Sequence, residues 1–99
     1  MDYKEELKNH LDDEGRLRLF PSKRRLKLIS LLYLAQSFES GRTYTEKEVN
    51  AVISAWHTFN DHCFIRRGLI DYKLLKRTTN GSKYWREKDP DIGIKAPLE

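Results

Sequence analysis

The chain has a single cysteine, Cys63, among its 99 residues. One cysteine excludes an intramolecular disulfide, which is typical of proteins in a reducing cytoplasm. No apolar run approaches the roughly 18 residues that a membrane-spanning helix needs, and the acidic, polar start lacks the apolar core of a secretory signal. We therefore expect a cytoplasmic protein with no membrane partner.

Features of catalytic and cofactor-binding sites are also scarce. The five glycines are isolated, so no glycine-rich loop can cradle a phosphate group. His57, His62 and Cys63 lie close together in the chain, but no second Cys/His cluster completes a metal site. No paired carboxylates with an obvious pocket are present. The sequence predicts a protein that is not an enzyme and that has no cofactor and no metal.

Charge is distributed unevenly along the chain. The first 14 residues carry six acids and two lysines, a net charge of −4, whereas the whole chain carries +4. The remaining residues therefore carry +8, which indicates a body that attracts an anionic partner. Solubility is the alternative explanation of this charge.

The strongest helix signal begins after Pro21. Ser22 is the predicted N-cap, and apolar residues then recur up to Phe38 around most of the helix circumference, which indicates a helix at the centre of the core. Before it, the pattern predicts a short polar helix over 3–11 and an extended segment over 16–20.

Two further helices follow. Thr45 and Glu48 match a capping box, and Asn60 or Asp61 is expected to cap the last helix, over 61–72. The stripe expected to be buried in the first of these helices comprises Val49, Val52, Ile53 and Trp56. The stripe expected in the last helix comprises Phe64, Ile65, Leu69 and Tyr72. Gly68 in the middle of that helix costs about 0.5–1 kcal/mol relative to alanine, so we expect tertiary support or a close neighbouring backbone there.

Asn80-Gly81 predicts a β-hairpin with a type I′ turn, because both residues tolerate positive φ. A two-residue loop sets the cross-strand pairs as Thr79 with Ser82, Arg77 with Tyr84, Lys76 with Trp85, and Leu75 with Arg86. Both faces of this hairpin are half apolar, so the sequence leaves open which face packs inward.

A basic helix followed directly by a basic hairpin is the layout of a winged helix-turn-helix. Between Arg66 and Lys88 the chain has eight Lys or Arg and two acids. We predict an α+β, winged helix-turn-helix-like fold with three core helices, a C-terminal β-hairpin and an extra short N-terminal helix. The expected organisation is an acidic N-terminal helical extension over 1–15, a winged-helix-like domain over 16–88 and a flexible C-terminal tail over 89–99.

About seventy residues follow an ordered series of motifs. The motifs are Phe20-Pro21-Ser22-Lys23-Arg24, Gly41-Arg42, Tyr44-Thr45-Glu46, Glu48-Val49-Asn50, His57, Asp61, Ile65-Arg66-Arg67, Leu69-Ile70-Asp71-Tyr72, Leu75, Arg77 and Tyr84-Trp85-Arg86. In them the chain resembles a bacterial family of winged-helix-like domains of unknown function, found alone and fused behind DNA-binding domains of transcriptional regulators. The resemblance implies a regulatory role.

The chain departs from the family pattern at two positions. Gly68 stands where the family tends to have an acid, and Lys73 stands where it tends to have glycine. The second departure has a physical consequence, because a lysine must then adopt a left-handed or altered helix end.

Two functions are consistent with these features. The first is duplex DNA binding by a transcriptional regulator, with the helix over 61–72 in the major groove. The residues expected to contact DNA are Arg66, Arg67, Lys73, Lys76, Arg77, Lys83 and Arg86. The alternative is a protein-interaction or ligand-sensing module of a regulatory system without DNA contact. Its surface would combine the Tyr84-Trp85-Arg86 strand with the acidic N-terminal helix, and would bind a regulatory protein or a second copy as a homodimer.

Overall fold

The structure is a computed structural model that describes residues 2–87. It is a small α+β fold of four α-helices, one 3-10 helix and three strands. The elements are α1 (Tyr3–Glu6), the 3-10 helix (Lys8–His10), α2 (Arg24–Ala35), β1 (Thr43–Tyr44), α3 (Glu46–Ala55), α4 (His62–Asp71), β2 (Leu75–Arg77) and β3 (Tyr84–Arg86). The predicted α+β class is confirmed. The tail predicted over 89–99 lies outside the described residues.

The three strands form one antiparallel sheet in the order β1-β3-β2. Tyr84 of the central strand pairs with Tyr44 on one side and with Arg77 on the other. Three of the four cross-strand pairs predicted for the hairpin lie within its strands and are confirmed. The sequence does not predict β1, because a two-residue strand is too short to show an alternating pattern.

The turn between β2 and β3 differs from the predicted type I′ turn. Gly81 has a φ of 74°, but Asn80 does not have the positive φ that a type I′ turn requires. The Asn80 side chain acts instead, because its Oδ1 accepts hydrogen bonds from the Ser82 N–H at 3.1 Å and from the Thr78 hydroxyl at 2.9 Å. Asn80 therefore stabilises this loop through its side-chain amide oxygen and not through a left-handed backbone conformation.

Helix α2 is the centre of the core, as predicted, since residues 28–35 are all buried. It is shorter at both ends than expected. Lys23 and not Ser22 is the N-cap residue, and no side chain caps the helix there. At the other end, the Ser37 and Phe38 N–H groups donate to carbonyls three residues back, which tightens the last turn and ends the α-helix. Phe38 is still buried beneath that turn.

The N-terminal segment packs against α2. The helix predicted over 3–11 is divided into α1 and the 3-10 helix at Leu7, whose side chain is fully buried. Glu6 forms an ion pair with Arg25 of α2 at 2.6 Å. The segment therefore shares the core of the domain.

Leu17 connects this segment to the loop between α3 and α4. Its N–H donates to the Trp56 carbonyl and its carbonyl accepts from the Thr58 N–H, both at 2.9 Å. It forms single bridges to Leu11 and to His57. The extended segment predicted over 16–20 thus makes isolated bridges and is not a strand of the sheet.

The predicted helix starts of α3 and α4 are confirmed. The Thr45 hydroxyl accepts from the Glu48 N–H at 3.1 Å and the Glu48 carboxylate accepts from the Thr45 N–H at 2.9 Å, which completes the capping box. Asp61, one of the two candidate caps, accepts from the Phe64 N–H at 3.4 Å.

The buried stripes of α3 and α4 are narrower than predicted. Val49 and Ile53 of α3 and Ile65 and Leu69 of α4 are buried, and Val52 is half-buried. The predictions that Trp56, Phe64 and Tyr72 are buried are wrong, because all three are exposed. Trp56 is the C-cap residue of α3 and no longer has helical backbone angles, so its side chain does not continue the buried stripe of the helix. Phe64 and the C-cap residue Tyr72 lie one helical turn on either side of Gly68, on a flank of α4 that the core does not cover.

Close packing between α4 and α2 explains the glycine at position 68. A Cβ atom at this position would lie 3.1 Å from the Leu31 side chain of α2, so glycine permits α4 to approach α2 closely. Of the two reasons that the sequence suggested for this glycine, tertiary support applies: the close neighbour is the Leu31 side chain and not a backbone segment.

Candidate nucleic-acid interface

Three of the seven predicted contact residues lie around one groove. Arg66, Arg67 and Arg77 line a groove of about 530 Å³ between α4, the hairpin and the start of α3. Its other lining residues are Glu46, Cys63, Ile70, Asp71 and Tyr84. The groove is therefore polar and contains charges of both signs.

Arg66 is held against α3. Its guanidinium donates to the Asn50 side-chain oxygen and lies 4.0 Å from a carboxylate oxygen of Glu46. Only 21% of the Arg66 side chain is exposed. This arginine mainly connects α4 to α3, and its contribution to a ligand is limited by these contacts.

Tyr84 forms the floor of the groove. Its hydroxyl donates to Glu46 Oε1 at 3.0 Å, although the ring is buried. Burial raises the pKa of Tyr84, and the hydrogen bond to Glu46 raises it further, whereas the charges of Arg66 and Arg77 act in the opposite direction. The floor of the groove is therefore a neutral phenol bound to a carboxylate.

Arg77 bends back over the hairpin loop. Its guanidinium lies 3.4 Å from the carbonyl oxygens of Thr78 and Thr79, which are long hydrogen bonds. The side chain as a whole is exposed. These weak contacts leave most of its donors available to a ligand.

Lys73 follows α4 in the left-handed conformation, with a φ of 61°. Its N–H donates to the Ile70 carbonyl and the Leu74 N–H donates to the Leu69 carbonyl, both at 2.9 Å. This pattern is a Schellman motif, in which glycine is the usual residue at the position of Lys73. The prediction that a lysine adopts this conformation is confirmed.

Two further predicted contact residues, besides Arg66, are bound within the domain. Lys76 forms an ion pair with Glu87 at 2.9 Å. Arg86 donates to the Phe38 carbonyl at 3.1 Å and is partly buried. Arg86 therefore joins the sheet to the end of α2, a structural role that a charge count along the sequence does not reveal.

Four predicted contact residues are exposed and form no ion pair among residues 2–87: Arg67, Lys73, Arg77 and Lys83. They lie on α4, just after its C-terminal end, at the end of β2 and just before β3. The structure thus keeps cations near both ends of the hairpin, but it does not gather all seven predicted residues into one patch.

A second surface lies on the flank of α4 that faces the start of α2. We call Phe64, Gly68 and Tyr72 the α4 stripe; with Phe20 and Leu31 they line a mainly apolar cavity of about 190 Å³. Three charged side chains also border this cavity: Lys27, Arg67 and Asp71. The rings of Phe20 and Phe64 meet edge to face at 5.1 Å. The sequence signal for this surface is an aromatic residue four positions before a glycine and another four positions after it. From the sequence alone, this spacing predicts a buried stripe.

Within the described part of the chain, no three His, Cys, Asp or Glu side chains are grouped so that they could hold a metal ion. None of the helices in that part is long and apolar enough to cross a membrane.

A family model described as "uncharacterized protein conserved in bacteria (DUF2087)" matches residues 16–86. Because this match covers most of the chain, the chain belongs to this family. No curated protein and no solved structure matches it.

Proposed function

We propose that this member of the DUF2087 family is a winged-helix domain of a transcriptional regulator, and that it binds duplex DNA through its hairpin and the end of α4. The order of elements supports the winged-helix assignment. A helix, a short strand, two helices and a hairpin follow one another, and the first strand pairs with the last. The resemblance to domains fused behind DNA-binding domains supports a regulatory role.

The observation that carries the proposal is the set of available cations along the hairpin. Lys73 precedes β2, Arg77 ends it, and Lys83 precedes β3, and all three are exposed. Within residues 2–87 none of the three forms an ion pair. Cations spaced along a hairpin can contact successive phosphates of a nucleic-acid backbone.

The proposed DNA contact lies on the hairpin and not on the outward face of α4. There Arg67 is followed one turn later by Asp71, and Phe64 lies beside them. Along α4 itself this face carries one cation, one acid and an exposed aromatic ring, so the helix contributes no net charge there that would attract phosphates. The hairpin is therefore a better candidate than insertion of α4 into the major groove, the arrangement expected from the sequence.

The test is the salt dependence of binding to a mixed-sequence duplex, followed by fluorescence anisotropy. Each phosphate contact that is lost should reduce the log–log slope by about 0.9. Lys73→Ala and Lys83→Ala should each do so, and the double variant should lose about twice as much. Lys4→Ala is the matched control, because Lys4 is an exposed cation on α1, which packs on α2. Absence of binding near about 50 mM salt would falsify the proposal.

A second candidate function, a protein-interaction module, is favoured by the α4 stripe. Phe64 is 50% exposed and Tyr72 is 37% exposed, and contiguous exposed apolar side chains commonly mark interaction sites. An NMR titration with the same duplex separates the two candidates. DNA binding should shift the amides of residues 73–86, whereas a module that does not contact DNA should show no shifts at low salt.

A further inference from the structure

The α4 stripe is an exposed, mainly apolar surface on one flank of α4. Phe64 and Tyr72 are exposed on either side of Gly68, and Leu31 of α2 packs against Gly68 and lines the same cavity. The cavity of about 190 Å³ is smaller than the roughly 300–1,000 Å³ of small-molecule sites. Its size suits one inserted side chain of a protein partner.

Arg67 and Asp71 of α4 border the stripe on the same side, and Lys27 of α2 also lines its cavity. Arg67 and Asp71 are four residues apart and both are exposed. Neither forms an ion pair with any residue that the structure describes. The order of a cation followed by an acid is the less favourable one for pairing within a helix. Each charge is therefore available to an opposite charge on a partner.

These features make α4 complementary to itself. If a second α4 lies antiparallel across a two-fold axis near Gly68, Phe64 of one copy faces Tyr72 of the other. In the same arrangement Arg67 lies about two residues along the helix axis from Asp71 of the other copy, a rise of about 3 Å that the long arginine side chain can span. A two-fold axis perpendicular to both helices keeps these charges on the same side of the contact, so both ion pairs form.

We propose that a second copy of this chain covers the α4 stripe, forming a two-fold symmetric homodimer through antiparallel α4 helices. Such an interface requires that each patch complements itself, and the stripe carries both members of each ring pair and of each ion pair. This surface differs from the strand and acidic helix that the sequence suggested for a second copy.

The dimer is expected to be reversible. One helix face buries less than the roughly 800 Å² per partner that is typical of stable complexes, so the dissociation constant should fall in a range where concentration changes the oligomeric state. Lys73, Arg77 and Lys83 lie outside the stripe, so dimerisation goes beyond the DNA proposal and is independent of it.

A charge exchange tests the pairing directly. Sedimentation equilibrium of the full chain, without DNA, should show a monomer–dimer equilibrium. Arg67→Asp places two acids opposite each other in both symmetry-related contacts, and Asp71→Arg does the same with two cations. Each single variant should weaken the dimer by at least about tenfold. The double variant Arg67→Asp/Asp71→Arg should restore the affinity to within about threefold, because it re-forms both pairs in reverse.

The controls separate this contact from general charge effects. Lys47→Asp on α3 changes an exposed cation outside the stripe and should leave the dimer unchanged, whereas Phe64→Ser should weaken it. All these positions are exposed, so circular dichroism should confirm that each variant folds. A chain that stays monomeric over the whole concentration series overturns the proposal. So does a dimer whose affinity the double variant fails to restore. Since no DNA is present, neither result bears on DNA binding.

Discussion

The Tyr84 hydroxyl donates to Glu46 Oε1 at 3.0 Å and thereby joins the central strand to the first turn of α3. The same carboxylate group lies 4.0 Å from the Arg66 guanidinium of α4. One acidic side chain thus contacts two elements of the candidate interface. Groups that share a partner in this way are expected to contribute to stability together.

Tyr84→Phe should lower the free energy of unfolding by about 1 kcal/mol, because it removes this hydrogen bond and leaves the buried ring in place. Urea denaturation followed by circular dichroism measures the change. Tyr72→Phe is the control, since its ring is exposed, and it should change stability by less than about 0.5 kcal/mol. An equal loss in both variants would contradict the role of the hydrogen bond to Glu46.

Alkaline pH should reduce stability through two tyrosines. Burial raises the pKa of Tyr84 and of Tyr33 above the ordinary value of 10.0, and the charges of Glu46 and Asp12 add to the respective shifts. The folded chain therefore holds these protons more tightly than the unfolded chain. Their contribution is fully present below the unfolded pKa, and it is lost as pH rises from that value through the folded pKa.

The measurement for this prediction is the urea midpoint at about pH 9 and at about pH 11. The double variant Tyr33→Phe/Tyr84→Phe should lose less stability between these two values than the wild-type chain. A drop of equal size in both would show that other groups cause the alkaline loss.

Lys73→Gly should stabilise the domain by about 1 kcal/mol, because a residue with a Cβ atom is strained in the left-handed region and glycine is not. The Schellman hydrogen bonds of Lys73 and Leu74 need no side chain and should persist. Lys47→Gly in α3 is the matched control and should cost about 1 kcal/mol instead. Thermal and urea unfolding of the two variants should therefore shift in opposite directions.

Ser30→Ala should also stabilise the domain, by about 1 kcal/mol. Ser30 is fully buried in α2, and its hydroxyl has no hydrogen-bond partner among residues 2–87. Removing a buried polar atom without a partner removes its desolvation cost. Ser54→Ala, at an exposed position of α3, should change stability by less than about 0.5 kcal/mol. A destabilised Ser30→Ala variant would indicate that the hydroxyl does find a partner.

The elements that the sequence predicted well depend on local contacts. The capping box of Thr45 and Glu48 requires residues three apart, and the hairpin register follows from the short Asn80-Gly81 loop. Even there, the asparagine stabilises the turn through its side chain. Local chemistry thus predicted where the turn lies, but not its backbone conformation.

The candidate interface was harder to predict because the partners of its cations are distant in sequence. Arg86 donates to the Phe38 carbonyl, 48 positions away. Arg66 contacts Asn50, 16 positions away. A charge count along the chain treats such residues as available, whereas tertiary contacts decide which of them can bind a ligand. The α4 stripe was missed for the same reason, since only the position of α2 shows which flank of α4 stays open.

The His57 ring should be essential to the loop between α3 and α4. His57 is buried, its Nδ1 bonds the Ile53 carbonyl at 2.7 Å, and its Nε2 accepts the Asp61 N–H at 2.8 Å. Both bonds form together when the proton is on Nδ1. The ring thus connects the end of α3 to the N-cap residue of α4. His57→Ala should cost about 2–4 kcal/mol, because it leaves a cavity and removes the acceptor of the Asp61 N–H. The Ile53 carbonyl still accepts from the Trp56 N–H at 3.0 Å.

The same variant should act first on the start of α4. Hydrogen exchange of the Asp61 amide should accelerate in His57→Ala by more than the global loss of stability explains, because its acceptor is gone. His62→Ala is the matched control, since His62 is half-buried and has no hydrogen-bond partner among the described residues. If both variants lose the same stability and the Asp61 amide stays protected, the loop is held by Leu17 and its backbone contacts to Trp56 and Thr58 instead.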